Sequence, residues 1–579
     1  MIQGALVKSL ISPLAYAAAA LVSLSTATTP ASASPSVFEP SVEAWSRDID
    51  TIVQDALTVH PNAFTKIGRS AFLQRAEELK RSLRDLSQEQ RVVRAMQLVA
   101  SVGDGHTQLE TNNPRWGIWY PIRTYQFTDG YFITGALQPV QELVGAQILE
   151  VHGKPVEEAA EAARTLFGAD NDSGARNNLF ALSDAVLMRG LGLAEPDGSL
   201  RLRLRLRSGR TVERRVSPRA ADGEGWEGDL ATFEWRFRHE MAGPPLGKSA
   251  DWIGAFRNLA YPAYRTADKT RPPHLAARVP FFSQQLTAGD AYYIQVNLIT
   301  GSGEEGFVES FKRALREVDQ LKPRRLIIDI RYNIGGDGSK VPAMIHEFVK
   351  REDNPPWREL YLLTGRRSFS AAVMMADAFM EHTDASIVGE PAGAGLNHFG
   401  DATNIGLPAT GLSLHMSTLW HQLGRSSDRL PVITVDAAAE FSFAEYAAGA
   451  DPAVDAILAG KEMRSIGIIA LAKGAAAAWR VYQERKGGGA TPRWVEPREV
   501  ELARMAWRLY NLGRKDDARE LFRLRAEAFP NSAKAWYELG NVQLGADQKA
   551  AALESYRRSL AIDPNNVDNA DARATLAKN

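Results

Sequence analysis

Arg324-Arg325-Leu326-Ile327-Ile328-Asp329-Ile330-Arg331 is an apolar run of strand length held between charges. Such a run suits a strand buried on both faces of a sheet. Tyr332-Asn333-Ile334-Gly335-Gly336-Asp337-Gly338 leaves it as a glycine-rich loop, whose backbone N–H groups can turn towards a ligand. A second strand, Leu360-Tyr361-Leu362-Leu363-Thr364, leads through Gly365-Arg366-Arg367-Ser368-Phe369-Ser370 into an apolar segment, Ala371 to Met380, that reads as a helix. Ser370 therefore stands where a loop hands over to a helix N-terminus. There the dipole and free N–H groups favour an anion, such as the oxyanion of acyl transfer. A serine at such a junction is ordinarily an N-cap, and a double glycine is ordinarily a turn. The flanking sequence decides between the two.

Upstream stands Val102-Gly103-Asp104-Gly105-His106-Thr107. Downstream stands Val388-Gly389-Glu390-Pro391-Ala392-Gly393-Ala394-Gly395-Leu396-Asn397-His398-Phe399-Gly400-Asp401. Taken in order, the Asp-Gly-His-Thr turn, the Asp-x-Arg-x-Asn-x-Gly-Gly loop, the Ser-Phe-Ser-Ala turn and the Gly-Glu-Pro segment resemble motifs of the tail-specific, or C-terminal-processing, serine peptidases and the related tricorn core. The resemblance runs from about residue 45 to residue 460. It implies an α/β multidomain chain with a helical N-terminal domain, a PDZ-like β-domain and a crotonase-like or Clp-protease-like β-α catalytic core. Ser370 takes the place of the nucleophile.

A serine hydroxyl is too poor an acid to attack a peptide carbonyl without an adjacent base. Much of this family supplies a lysine in a Gly-Lys-Gly context after the serine. Here that segment is Gly393-Ala394-Gly395, so the lysine is absent. The tricorn-like branch uses a histidine instead, and the resemblance carries that role to His106. An imidazole pKa of about 6.5 suits such a group to take the serine proton and return it to the leaving amine. His398 is the competitor. A base needs an orienting acceptor. The resemblance points to Asp428, 58 residues beyond Ser370, with Asp104 as the alternative. The same branch carries a serine before its histidine, where this chain has Gly105. For the oxyanion, the expected donors are the N–H of Ala371 and that of Gly335 or Gly336.

Other chemistries lack their signatures. There is no Gly-x-Ser-x-Gly elbow, no His-Glu-x-x-His helix, no Gly-Lys-Ser/Thr phosphate loop and no Gly-x-Gly-x-x-Gly after a strand. No cofactor or metal is implied. Lys and Arg (68) nearly balance Asp and Glu (69), which argues against a nucleic-acid partner. The chain has no cysteine, which excludes disulfides, a lipid-modified cysteine and a thiol nucleophile.

At 579 residues several domains are expected. Residues 1–33 read as a secretory signal: Lys8, a short Ala-rich apolar segment, and an Ala-x-Ala end at Ala33. This predicts a periplasmic or secreted protein with no stable membrane span after processing. Residues 40–115 carry helical spacing (Trp45, Ile49, Ile52; Phe72, Ala76, Leu79) that ends at the Asp-Gly-His turn. Residues 116–220 change to short β-type segments, among them Gly145 to Val156, the PDZ-like unit. Leu200 to Val216 alternates Leu with Arg and predicts a hairpin with one wet, basic face. Residues 221–290 read as an irregular insertion and 291–460 as the catalytic domain. Residues 461–491 follow as helix and linker.

Residues 492–579 repeat at 34 residues, with Phe522 matching Tyr556 and Pro530 matching Pro564. That is the tetratricopeptide period. Two copies leave an apolar face that the catalytic body or a protein partner must cover. Two functions fit the whole. One is an exported serine endopeptidase acting on peptides or unfolded protein tails. The other is a catalytically silent scaffold binding peptides or apolar ligands. They differ in whether Ser370 and His106, 264 residues apart, meet.

Overall fold

Arg325–Asp329 lies near the middle of a six-stranded sheet. Its strands are β1 (Phe281–Leu286), β2 (Ala291–Val296), β3 (Arg325–Asp329), β4 (Glu359–Thr364), β5 (Ser386–Gly389) and β6 (Ala437–Ala438), in that spatial order. β1 and β2 form an antiparallel pair, and every later pairing is parallel. The helices Phe307–Leu321, Val341–Val349 and Ala371–His382 cross over between β2 and β5. Alternation at period two sorts the side chains. Ile294, Leu326, Ile328, Leu362 and Ile387 pack under those three helices. Tyr293, Ile327, Tyr361, Leu363 and Val388 pack against the helix Pro452–Leu458 on the other face. Burial on both faces is why these strands carry unbroken apolar runs.

The computed structural model describes residues 38–111, 116–136, 139–220, 253–254, 281–286, 290–299, 306–424, 432–448, 450–487, 497–565 and 570–577. Residues 1–33, read from the sequence as a secretory signal, Asp428, most of the 221–290 insertion and the linker beyond Gly487 lie outside the described residues. No helix among the described residues is long and apolar enough to cross a membrane.

Three helices, Val42–Thr58, Arg69–Ser82 and Gln88–Ala100, precede the Asp104–Thr107 turn. The strand leaving that turn, Gln108–Glu110, pairs antiparallel with Leu412–Met416, so that Leu109 faces Leu414. Leu412–Met416 belongs to an excursion of the chain between β5 and β6. This pairing carries the N-terminal turn to the sheet that bears Ser370. A seven-stranded β-domain follows, and its Leu200–Arg205 strand pairs with Thr211–Val216. Leu200, Leu202 and Leu204 are buried, while Arg201 and Arg203 point outward and pair with Glu195 and Glu150. The basic face is thus solvated and locally neutralised. Phe127 and Phe132 of this domain pack with Phe443 and Tyr446 beside the closing segment of the core.

The C-terminal helices Glu499–Asn511, Lys515–Ala528, Ala533–Leu544 and Lys549–Ile562 are the two expected repeat pairs. A further pair, Ile466–Lys473 and Ala475–Lys486, joins their apolar cluster through Ile469, Ala478 and Tyr482 against Leu502, Met505 and Leu521. It supplies the third unit that such an array requires. The 34-residue period does not reach it. The face left open by two copies is covered by the chain itself. Arg498 pairs with Asp436 at 2.9 Å, and Arg508 pairs with Asp384 at 2.6 Å. Arg504 donates to the carbonyls of Glu381 and Thr383, at the C-terminal end of the Ala371–His382 helix.

Candidate active site

The loop after β3 and the turn after β4 are sewn together. Asp329 and Asp451 hold the buried Arg331 guanidinium at 2.6 and 2.9 Å, and the Tyr293 hydroxyl donates to Asp329 at 2.7 Å. Ser368 Oγ donates to the Ile330 carbonyl at 2.8 Å, and the Phe369 N–H donates to the Asn333 carbonyl at 3.0 Å. Asp329, Arg331 and Asn333 of the loop motif are therefore anchors for the turn that carries Ser370. From the other side, Glu390 grips Arg366 through both carboxylate oxygens, at 2.7 and 2.9 Å. That accounts for the Gly-Glu-Pro segment. Ala394, where the family's lysine would stand, is fully buried in the core.

Ser370 occupies φ +54°, ψ −127°, and its side chain caps no helical N–H. A non-glycine residue in such a region is strained by on the order of 1–3 kcal/mol and persists only where its surroundings impose it. The surroundings here include Gly335, whose φ is +114°. A Cβ on Gly335 would fall 2.6 Å from the Ser370 Cβ and 3.0 Å from the Ala371 nitrogen. The ordinary N-cap role expected of such a serine is therefore not the one Ser370 performs.

The Gly335 N–H is donated to Asn333 Oδ1 at 2.8 Å. Of the expected oxyanion donors this corrects Gly335, because a committed N–H is not free to meet an oxyanion. Gly336 and Ala371 remain. Gly336 bridges to Ile299 through its neighbours: the Gly335 carbonyl accepts from Ile299, and the Asp337 N–H donates to the Ile299 carbonyl.

His106 and Ser370 line one cavity of about 290 Å³, with Phe369, Ile334, Arg367 and Glu110 also in its wall. The His106 ring stacks on Phe369, the residue before Ser370, with centroids 4.3 Å apart and planes 26° apart. Gly105 makes this possible, since a Cβ there would lie 2.7 Å from the Phe369 ring. Neither His106 ring nitrogen makes a well-formed hydrogen bond among the described residues, although the Phe399 backbone acts on the ring to favour its proton. Burial pushes the imidazole down to about 3, His398 adds in the same direction, and Asp104 opposes. At neutral pH the ring is therefore uncharged, with a lone pair free to accept a proton.

Asp104 does not bond that ring. Its carboxylate accepts the backbone N–H groups of His106 (3.0 Å) and Thr107 (2.8 Å), the Ser417 hydroxyl (2.8 Å) and a bond from His60 Nε2 (3.0 Å). Burial acts to raise this carboxyl, but bonds from His60, Ser417 and Thr107 outweigh it and hold it below its usual range. Asp104 thus builds the turn. His398 donates its Nδ1–H to the Gly395 carbonyl at 3.0 Å and is not in the cavity wall.

Two features escaped the sequence. Asp170 accepts the Gly105 N–H at 3.2 Å, and its other oxygen is buried without a hydrogen-bond partner among the described residues. Burial, with the charge of Asp104, pushes Asp170 up to about 7. The second is a run of imidazoles behind His106. No spacing rule marks either, because each is made by residues far apart in sequence.

The tetratricopeptide-repeat family model matches residues 533–566. No curated protein matches the chain. Among solved structures, the chain is similar to mature CPAF complexed with lactacystin, with a TM-score of 0.48 and 14% identity over 72% of this chain and 97% of that one. It is similar also to the tricorn protease (TM-score 0.32, 13% identity, 72% of this chain and 36% of that one). A third is the photosystem II D1 C-terminal processing protease (TM-score 0.31, 11% identity, 68% and 92%).

Proposed function

We propose that this chain is a serine peptidase that hydrolyses peptide bonds of peptides or unfolded protein tails, with Ser370 as nucleophile and His106 as general base. One observation carries the proposal. A strained, non-capping serine at a helix N-terminus shares a cavity with a buried, uncharged histidine. His106 accepts the Ser370 proton as the hydroxyl attacks the carbonyl, then returns it to the leaving amine. The N–H groups of Ala371 and Gly336 receive the oxyanion; losing one such donor lowers the rate by about 10²–10³. In an unliganded site the catalytic hydrogen bond is often long and tightens on the substrate, consistent with a His106 ring that makes no well-formed hydrogen bond among the described residues.

Asp428 is retained as the residue that would orient the imidazole. The sequential β-α order of the sheet is consistent with a crotonase-like or Clp-protease-like core, and the 116–220 β-domain with a PDZ-like module. Export to the periplasm or beyond rests on the Lys8-to-Ala33 segment. A protein partner bound through the repeats would use a face other than the one that the Ile466–Lys486 pair covers. An active-serine phosphonate tests the assignment. It should modify Ser370 in the full chain and fail on His106→Ala, whereas equal modification of both would remove His106 from the mechanism.

A further inference from the structure

His106 is the inner end of a column of three imidazoles. His398 lies nearly parallel to it, with centroids 5.7 Å and planes 12° apart. His421 follows at 5.2 Å and 36°. The last two face each other directly across the antiparallel strands Asn397–Gly400 and Leu419–Gln422, so the sheet register itself sets their spacing. The outer end is an ion pair: His421 Nε2 lies 3.1 Å from Asp401 Oδ2, with side chains 19% and 60% exposed. The column therefore runs from the wall of the cavity to solvent.

The groups around His106 give this column a sense. From its own turn come Asp104, engaged with His60, and Asp170 against Gly105. From the cavity wall come Arg366, held by Glu390, together with Arg367 and the Glu110–His415 pair. From the strands behind come His398 and His421, with Asp401 against His421. Asp401 closes the exposed end of the column through its contact with His421. A positive charge on His421, two rings away, opposes a proton on His106.

We propose that His398 and His421 are positioning residues for the general base. The column holds the His106 ring at the cavity wall, where it is free to accept the Ser370 proton. This rests on His106 being the base. His398 Nδ1 is already committed to Gly395, and burial, then His421, lowers its affinity for a proton. It transmits the charge effect without holding the proton.

The test follows the ring resonances of the full chain labelled with ¹³Cε1-histidine, with His106 assigned by its absence in His106→Gln. In His421→Gln, the His106 titration should move to higher pH by roughly half a unit or more. The acid limb of Ser370 phosphonate labelling should move with it. His398→Gln should move both in the same direction; should that variant fail to fold, His421→Gln at the exposed end decides. Superimposable His106 curves down to acid unfolding, or a shift to lower pH, would overturn the proposal. A drop in thermal stability with no change in titration would do the same, since it leaves only a packing role. Absence of any serine labelling would instead defeat the peptidase assignment while the resonance titration still reports on the column.

Discussion

The turn that carries Ser370 and the turn that carries His106 are built in opposite ways. The Ser370 turn is held by backbone and charged anchors drawn from adjacent strands of one sheet: Ile330, Asn333, Gly335 and Glu390 all bond or press directly on residues 365–371. The His106 turn has a backbone pinned by Asp104, but its ring is located mainly by stacking on Phe369 and His398. Strain is stored at the proposed nucleophile, whereas at the proposed base desolvation keeps the ring uncharged. A reactive hydroxyl must be presented in one conformation, while a base that moves protons works only if nothing else claims its lone pair.

The comparison breaks most completely at the two reacting groups. Ser370→Ala should abolish peptide hydrolysis, a loss of at least about 10³-fold, with the thermal unfolding midpoint retained. Turnover by a pure preparation of that variant would show that the nucleophile lies elsewhere. Gly335→Ala probes the rigid turn. Its Cβ would press on Ser370 at a φ of +114°, so turnover should fall about 10²-fold and stability by on the order of 1–3 kcal/mol. Gly105→Ser probes the stacked turn. It brings a Cβ to 2.7 Å from the Phe369 ring, and displacing that ring should lower kcat by roughly tenfold with less effect on folding. If Gly105→Ser proved the more damaging to stability, the contrast between a stitched and a stacked turn would be wrong.

Removal of residues 492–579 acts from the far end of the nucleophile helix. It strips the partners of Ile469 and Tyr482 and the Arg504 bonds to Glu381 and Thr383. Since the Ile466–Lys486 pair and the repeats share this apolar face, the truncated chain should lose solubility, read as soluble yield and elution volume. A soluble, monodisperse truncation would mean that the shared face contributes little.

A pH dependence at the base turn tests the comparison from the side of stability. Asp170 is raised to about 7, well above its unfolded value. Its favourable contribution is present below pH ~4 and is lost as pH rises through about 7. Asp170→Asn should therefore stabilise the chain at pH 8 by on the order of 2–4 kcal/mol relative to pH 5, measured by urea unfolding at both values. His106 has the opposite sign. Buried and uncharged, it withdraws stability as pH falls from about 6.5 towards 3. An Asp170→Asn variant equally stabilised at both pH values would show that the carboxyl is not titrating there.

The sequence by itself determined what is periodic or contiguous. The apolar run of β3, the glycine loop, the loop-to-helix junction at Ser370 and the alternating Arg/Leu hairpin follow from side-chain spacing within a few residues. The 34-residue period exposed two repeat pairs, but the Ile466–Lys486 pair was illegible because it packs as a repeat without sharing the period. Only tertiary structure decided that Gln108–Glu110 would pair with Leu412–Met416 and so bring His106 to the wall beside Ser370. It also decided that Gly335 spends its N–H on Asn333, and that His398 and His421 line up behind the base. The reason is physical. Spacing along the chain reports which face of a strand or helix is apolar, whereas register between distant strands, ring stacking and burial arise only when those faces meet, and these set both the reach and the charge of the groups that do the chemistry.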